Sequence, residues 1–391
     1  MRLDLKRLVL FMDQWYHSGM FLKKSYKFRL APTKQQEIIL QRALDACRFL
    51  YNQCLEHRIL AYEELDWSLT KNDQLMMLPA LKDEHPELKA VHSQVLQDVV
   101  IRLDKAFAGF FRRCANGEKP GFPRFRGVFR YNSFTYPQSG FRIVGDKIKL
   151  SKIGWVRINH QRPDDGAVKT CSLCRDASGN WYVCLSCEVP RHPLPENDKA
   201  VGIDMGIEHW AYFSDGTVIA NPHFFTTEQK AIAKAQRKLS SLQKGSDPWR
   251  KQKKVVAKVY ERVRNRRSNF CHQVSRHVVN NYQYICVEEL QIQEMLEGSP
   301  IGRTMSRSIA DASWDQFCRF LSYKAEDAGR KVGIVHPAYT SQTCSRCGHR
   351  EKKSLSQRLH HCSNCGYTAH RDMNAAENIL ALGLDGLGVK P

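Results

Sequence analysis

Two cysteine pairs, Cys344-x-x-Cys347 and Cys362-x-x-Cys365, stand near the end of the sequence with fourteen residues between them. That spacing supplies the four thiolates a tetrahedral structural zinc takes. Each second cysteine is followed by a glycine, Gly348 or Gly366, which lets the backbone turn beneath a metal without a Cβ clash. Just beyond them Asp372 follows Arg371 and precedes Met373-Asn374-Ala375-Ala376, a helix start. An aspartate there can serve simply as a helix cap. It becomes a candidate for chemistry when other carboxylates converge on it, and two runs offer them. Asp204 lies inside the apolar run Ala200–Ile207, and Glu288 and Glu289 end the apolar run that starts at Tyr284. An unpaired carboxylate buried in a strand is costly, so Asp204 needs a metal, a partner or a strand end open to solvent. Carboxylates gathered at strand ends and helix starts can hold two Mg²⁺ ions about 3.5–4 Å apart for phosphodiester hydrolysis. Oxygen ligands suit Mg²⁺ and thiolates suit Zn²⁺, so structure and catalysis would use different metals.

A second cysteine set, Cys171-x-x-Cys174 and Cys184-x-x-Cys187, has similar spacing. Here Arg175 and Glu188, not glycines, follow the second cysteines. The flanks read as a hairpin around Ala177-Ser178-Gly179-Asn180, and cysteines three apart on a strand point to opposite faces. Packing is the favoured reading, with a second zinc as the alternative.

The elements that must position these groups follow from pattern. Ser25–Leu30 alternates as a short strand, and Ala31-Pro32 ends it. Thr33 with Gln36 makes a capping box for a helix whose stripe is Leu40, Ala43, Cys47, Leu50 and Cys54. A second helix begins near Ser93, with Leu96, Val99, Val100, Leu103, Phe107 and Phe110 as its stripe. From Lys119 to Phe134 proline and glycine oppose helix, and aromatics alternate with Arg124, Arg126 and Arg130. Such interleaving can grip nucleic acid, or the rings can face a core from a strand; both readings stay open. Residues 140–190 are strand-rich, and Pro190–Asp198 reads as a linker. Ala211–Phe213 and Val218-Ile219 make a hairpin, Gln291–Arg307 a polar irregular loop, Ala312-Ser313-Trp314 opens a helix, and Lys331–Val335 is a strand.

The chain has 391 residues and a formal charge of +20, an excess that suits a polyanionic partner. No apolar run reaches the roughly 20 residues of a membrane helix, which favours nucleic acid over a membrane as that partner. Fourteen cysteines with no evident signal peptide indicate a reducing compartment, where such pairs bind metal rather than form disulfides. Met20 offers a second start, so residues 1–19 read as a non-essential extension. Residues 228–282 hold fifteen Lys and Arg against three acids, a one-sided helical stretch that would repel itself without phosphates. Its densest run is Lys253, Lys254, Lys258, Arg262, Arg264, Arg266 and Arg267.

Taken in order, Tyr26-Lys-Phe-Arg-Leu-Ala-Pro32, Gly121-Phe-Pro-Arg-Phe125, Gly202-Ile-Asp-Met-Gly206, Val287-Glu-Glu-Leu290, Ala338-Tyr-Thr-Ser-Gln-Thr-Cys344 with Cys347-Gly348, and Arg371-Asp-Met-Asn-Ala-Ala376 resemble one family. From Met20 onward the chain resembles the TnpB (OrfB) proteins of bacterial insertion sequences, relatives of type V CRISPR effectors. The resemblance implies an RNA-guided DNA endonuclease of multidomain α+β build. A wedge-like β-barrel (20–32 and 120–192) would be interrupted by a helical recognition module (33–119). An RNase H-like (RuvC) α/β nuclease (193–338 and 369–391) would carry an inserted zinc ribbon (339–368). It implies Asp204, Glu288 and Asp372 as catalytic Mg²⁺ ligands, choosing Glu288 over Glu289, and Cys344, Cys347, Cys362 and Cys365 as ligands of one Zn²⁺. Where many relatives have Asp-Arg-Asp, this chain has His370-Arg371-Asp372. The implied partners are a guide RNA from the transposon end and double-stranded target DNA read beside a short adjacent motif. Arg124, Arg126, Lys253, Lys254, Lys258, Arg262, Arg266 and Arg267 are the candidate contacts. The rivals are a nuclease-inactive guided repressor, which would be expected to lack an acid, a transposase with its own nucleophile, and a generic zinc-ribbon nucleic-acid-binding protein.

Overall fold

The computed structural model describes residues 21–128, 130–159, 166–290, 303–354 and 357–389. The chain divides into two compact units at Pro190–Arg191. The proposed extension at 1–19 lies outside the described residues.

The first unit is built on β1 (Phe21–Ala31), an eleven-residue strand that pairs antiparallel with two partners. Its length joins two groups of strands into one seven-stranded sheet. β2 (Ser133–Tyr136), β6 (Ala167–Arg175) and β7 (Trp181–Pro190) lie on one side, and β5 (Gly154–Ile158), β4 (Lys147–Leu150) and β3 (Phe141–Val144) on the other. The edge strands β2 and β3 are neighbours in the chain, and the Tyr136 hydroxyl donates to Ser151 O at 2.9 Å across the gap, so the sheet is nearly closed. Cys171 and Cys187 are buried in it, while Cys174 and Cys184 are half-buried. Among the described residues these four form no metal-binding cluster.

Helices α1 (Lys34–Leu65), α2 (Lys71–Glu84) and α3 (Ser93–Ala115) follow β1. Thr33 and Gln36 form the reciprocal capping box, and the expected α1 stripe is buried. The α3 stripe is buried through Phe107; Phe110 is half-buried and meets the exposed Phe122 edge-on at 5.4 Å. The described residues between Lys119 and Tyr131 form no strand, and Pro120 and Pro123 lack ladder donors. The aromatic–arginine strand reading therefore fails before Ser133, where β2 begins and buries Phe134.

The second unit has a five-stranded sheet in the order β10 (Val218–Ala220), β9 (His209–Phe213), β8 (Ala200–Asp204), β11 (Tyr284–Glu288), β12 (Lys331–Val335). β8, β11 and β12 run parallel, and β9 is antiparallel to both of its neighbours, β8 and β10. Strand alternation divides its faces. Val201, Ile203, Ile285 and Val287 pack with Val278 of α5 (Asp247–Asn281) and with Phe317 and Leu321 of α7 (Trp314–Ala328). Cys286, with Val335, packs instead on Ile379 and Leu384 of α8 (Arg371–Gly386). In the chain, α4 (Phe224–Ser240) precedes α5, and α6 (Arg303–Ala312) precedes α7. The polar loop expected over 291–307 is helical from Arg303; its remainder lies outside the described residues.

Candidate active site and metal centre

Gly202 and Asp204 share the face of β8 turned to α8. A Cβ on Gly202 would strike Ala376 O and lie 2.6 Å from Leu380 N, so the helix seats directly on this strand. Cys286 pairs with Gly202 in the parallel ladder, and Val287 with Ile203, so Glu288 ends β11 beside Asp204. Alternation puts Glu288 on the same face as Cys286 and sends Glu289, which is exposed, to the other. Alternation separates the two glutamates once Cys286 is known to face α8.

Asp372 occupies the first turn of α8 and approaches the same place: a Cβ on Gly206 would lie 4.0 Å from its Oδ2. The helix is capped by His370, whose Nδ1 accepts from Asp372 N at 3.3 Å. The His370 ring stacks on Tyr212 at 4.7 Å, and the Tyr212 hydroxyl lies 2.8 Å from His209 Nδ1. Arg358 Nη1 stands 3.9 Å from Asp372 Oδ2, and its Nε binds Glu208 at 3.2 Å.

Burial, then the negative charges of Asp372 and Glu288, push the Asp204 carboxyl well above the usual range. Glu288 is also raised, chiefly by burial, against an opposing hydrogen bond from Thr340. A buried carboxyl raised by two neighbouring acids favours a cation between them, which is the chemistry of a hard-cation site. They are spread more widely than the thiols. Among the described residues the only set of three or more His, Cys, Asp or Glu donors within 4.8 Å of one another is the cysteine quartet.

That quartet fits zinc. Cys344 and Cys365 Sγ are 3.6 Å apart and Cys347 and Cys362 Sγ 3.5 Å, against about 3.8 Å for a tetrahedron with Zn–S near 2.3 Å. Both knuckles use the same backbone bonds, Gly348 N to Cys344 O and Gly366 N to Cys362 O, each 2.9 Å. The two glycines sit at φ 73° and 72°, as the turn beneath a metal requires. The Asn364 amide, 3.6 Å from its sulfur, leads the effects that lower the Cys347 thiol to about 6. Elemental analysis of purified protein should find one zinc per chain, and Cys362→Ser should remove it.

The ribbon is fastened to α8 by side chains that the spacing of cysteines does not reveal. Asn374 donates to Thr343 O at 2.7 Å and accepts from Ser345 N at 2.9 Å. Asn378 donates to Thr340 O and Thr343 O at 2.8 and 2.7 Å. Glu377 accepts from the Ser345 hydroxyl at 2.6 Å. The i, i+3, i+4 spacing of Asn374, Glu377 and Asn378 on one helix face was the available signal.

The candidate nucleic-acid contacts separate into outward and inward groups. Lys253, Lys254 and Lys258 are exposed on α5, Lys253 with its ammonium 5.2 Å from the Trp249 ring. Arg262 and Arg266 are exposed and share Glu228 at 3.6 and 3.0 Å. Arg124 and Arg126 are exposed in the first unit, Arg126 over the Tyr51 ring at 5.3 Å. Arg267 departs from the expectation. Its Nε and Nη2 donate to buried Asp311 at 2.8 and 2.6 Å, and Asp311 also accepts from Phe225 N, so Arg267 braces α4 and α6.

Comparison with known proteins places these features in one family. Residues 183–298 match the OrfB_IS605 family, described as "Probable transposase", residues 314–379 match the "Cas12f1-like, TNB domain", and residues 20–65 match a "Helix-turn-helix domain" of OrfB proteins. A protein of Escherichia coli strain K12 named "Putative RNA-guided DNA endonuclease InsQ" is 35% identical over 380 residues, covering 92% of each chain. One from Streptomyces pristinaespiralis with the same description is 32% identical, covering 95% of this chain and 92% of its own. The fold resembles that of a chain in a Cas12f1–sgRNA–target DNA complex, with TM-score 0.56 at 14% identity, covering 92% of this chain and 98% of the other. The chain belongs to the OrfB (TnpB) family.

Proposed function

We propose that this protein is an RNA-guided DNA endonuclease whose RuvC-like, RNase H-type unit cleaves target DNA with Asp204, Glu288 and Asp372. The observation that carries the reading is the meeting of these three acids at the ends of β8 and β11 and the start of α8. The carboxyl ends of parallel strands in a mixed α/β sheet are where such folds place ligands. Relatives of nearly the same length that carry the endonuclease name support the same conclusion.

Asp204, Glu288 and Asp372 would hold Mg²⁺, two ions in the mechanism proposed. Bound there, Mg²⁺ would supply an activated water and stabilise the leaving 3′ oxygen. The chain's own part is positional. β8 and β11 fix two carboxylates in register, α8 brings the third, and the close seat at Gly202 keeps the helix from drifting. The outward lysines and arginines of α5 would hold a guide RNA–DNA duplex by its backbone, leaving sequence to base pairing. The guide would come from the transposon end, and a short motif beside the target would be read by the first unit. The protein would act in the bacterial cytoplasm; no described helix is long and apolar enough to cross a membrane.

The test is plasmid cleavage by protein co-expressed with the RNA of its own element, with the target beside a randomised flank. Cleavage requiring RNA, Mg²⁺ and Glu288 is the expected result. RNA-dependent DNA binding without cleavage would replace the nuclease with a guided repressor.

The basic face makes a separate expectation. The triple change Lys253→Ala, Lys254→Ala, Arg262→Ala should weaken RNA or DNA binding and reduce the salt slope by roughly 2–3. Arg267→Ala should instead cost about 3–5 kcal/mol of fold stability, because Asp311 is left buried without its counter-charge. Binding isotherms at several salt concentrations, beside thermal melts, separate the two.

A further inference from the structure

The structure assigns Thr340 as the positioning residue of Glu288, held in place by the zinc-bearing turn; this rests on the acid-site reading above. The Thr340 hydroxyl donates to Glu288 Oε1 at 2.8 Å, and its alternative acceptor, Pro337 O, is longer at 3.3 Å and neutral. The charged, shorter partner takes the proton. Oε1 is thereby fixed, and Oε2 is left as the oxygen for a cation. A flexible glutamate at a strand end otherwise has several rotamers, and freezing one before metal arrives is what an outer-shell hydrogen bond does.

Thr340 is itself immobilised. It is 5% exposed, and its carbonyl accepts from Asn378 Nδ2 at 2.8 Å. The same amide binds Thr343 O, one residue before Cys344. A continuous set of bonds thus runs from the cysteine quartet through Thr343 and Asn378 to Thr340, and from there to Glu288. Asn378 belongs to α8, the helix that carries Asp372. The turn before the first knuckle therefore registers two of the three acids against each other. In this arrangement the zinc ribbon does more than close its own loop.

The test is Mn²⁺ binding to the full-length, zinc-loaded protein, followed by the loss of the free-Mn²⁺ electron paramagnetic resonance signal. Thr340→Val keeps the shape and removes the donor; Thr340→Ser keeps the donor. The expected result is Mn²⁺ affinity about 10-fold weaker in the valine variant, the lower end of what loss of an outer-shell partner does, and within about twofold of the parent in the serine variant. Zinc content should stay at the parent level in both. Asp204→Ala, run alongside, should abolish the same binding. Valine and parent curves that coincide while Asp204→Ala abolishes binding would overturn the role of Thr340 alone. Binding untouched by Asp204→Ala would remove the acid site and this inference with it. Equal weakening in valine and serine variants would make Thr340 a packing residue and also overturn the proposal.

Discussion

Asp204→Asn should abolish DNA cleavage and at the same time raise the melting temperature of the metal-free protein. Cleavage should fall by roughly 10³-fold or more, about 4 kcal/mol of barrier, because the proposed metal site would lose one of its three carboxylates. The stability gain comes from the same environment. Burial and the charges of Asp372 and Glu288 raise the folded pKa of Asp204 above its unfolded value. Its contribution to stability is therefore fully present below the unfolded carboxylate range and is lost as pH rises through the raised folded value. At neutral pH without metal the carboxylate is a liability, and a neutral amide of the same shape relieves it. Relief of about 1 kcal/mol corresponds to a rise of roughly 2–4 °C in a unit of this length. Mg²⁺ should reverse the order, stabilising the parent and leaving the Asn variant unchanged. Differential scanning at pH 7 with and without Mg²⁺, beside cleavage of a matched plasmid, measures both halves. A variant that melts at or below the metal-free parent would show that the acids do not repel one another at this site.

How much of this could be read from the chain differs from element to element. The α1 capping box and its buried stripe follow from local rules, since Thr33, Gln36 and a 3.6-residue period act within a few turns. The zinc knuckles are equally local, because two short turns, each closed by a glycine with positive φ, specify their own geometry. Asp204 was conspicuous as an acid inside an apolar strand. The choice between Glu288 and Glu289 was available from alternation, but only once Cys286 was known to face α8. What remained hidden depends on distant partners. α2 carries Pro79 in its interior, which argues against a helix until its second capping box, Thr70 with Asp73, is considered. Arg267 looks like its neighbours in a basic run; only the position of Asp311, forty-four residues later, turns it inward. Thr340 and the asparagines of α8 are ordinary polar residues until the fold brings the ribbon against the helix.

The second large effect should come from one methyl group. Gly202→Ala adds a Cβ that would collide with Ala376 O, lie 2.6 Å from Leu380 N and 2.9 Å from Leu380 Cβ. Two of these are backbone atoms of α8, so no side-chain rotation relieves the clash. Either the helix lifts from β8 or the strand bends, and forced overpacking of this kind costs about 3 kcal/mol or more. The unit should lose roughly 6–12 °C in melting temperature. Activity should fall further than stability alone explains, because α8 carries Asp372 and lifting it moves one acid away from the other two. Gly383 makes the reciprocal contact, its added Cβ meeting the Cys286 side chain with 2.5 Å to Cys286 Cβ, so Gly383→Ala should behave alike. Gly386, at the end of the same helix, has open space around its Cβ position, and Gly386→Ala should leave melting unchanged or slightly higher. Helix propensity favours alanine over glycine at all helical positions, so only close approach to the sheet can separate Gly383 from Gly386. Melting temperatures of the three variants decide the matter. If Gly202→Ala and Gly383→Ala melt with the parent, α8 is not seated on the strands as closely as described, and the meeting of Asp372 with Asp204 and Glu288 must have another cause.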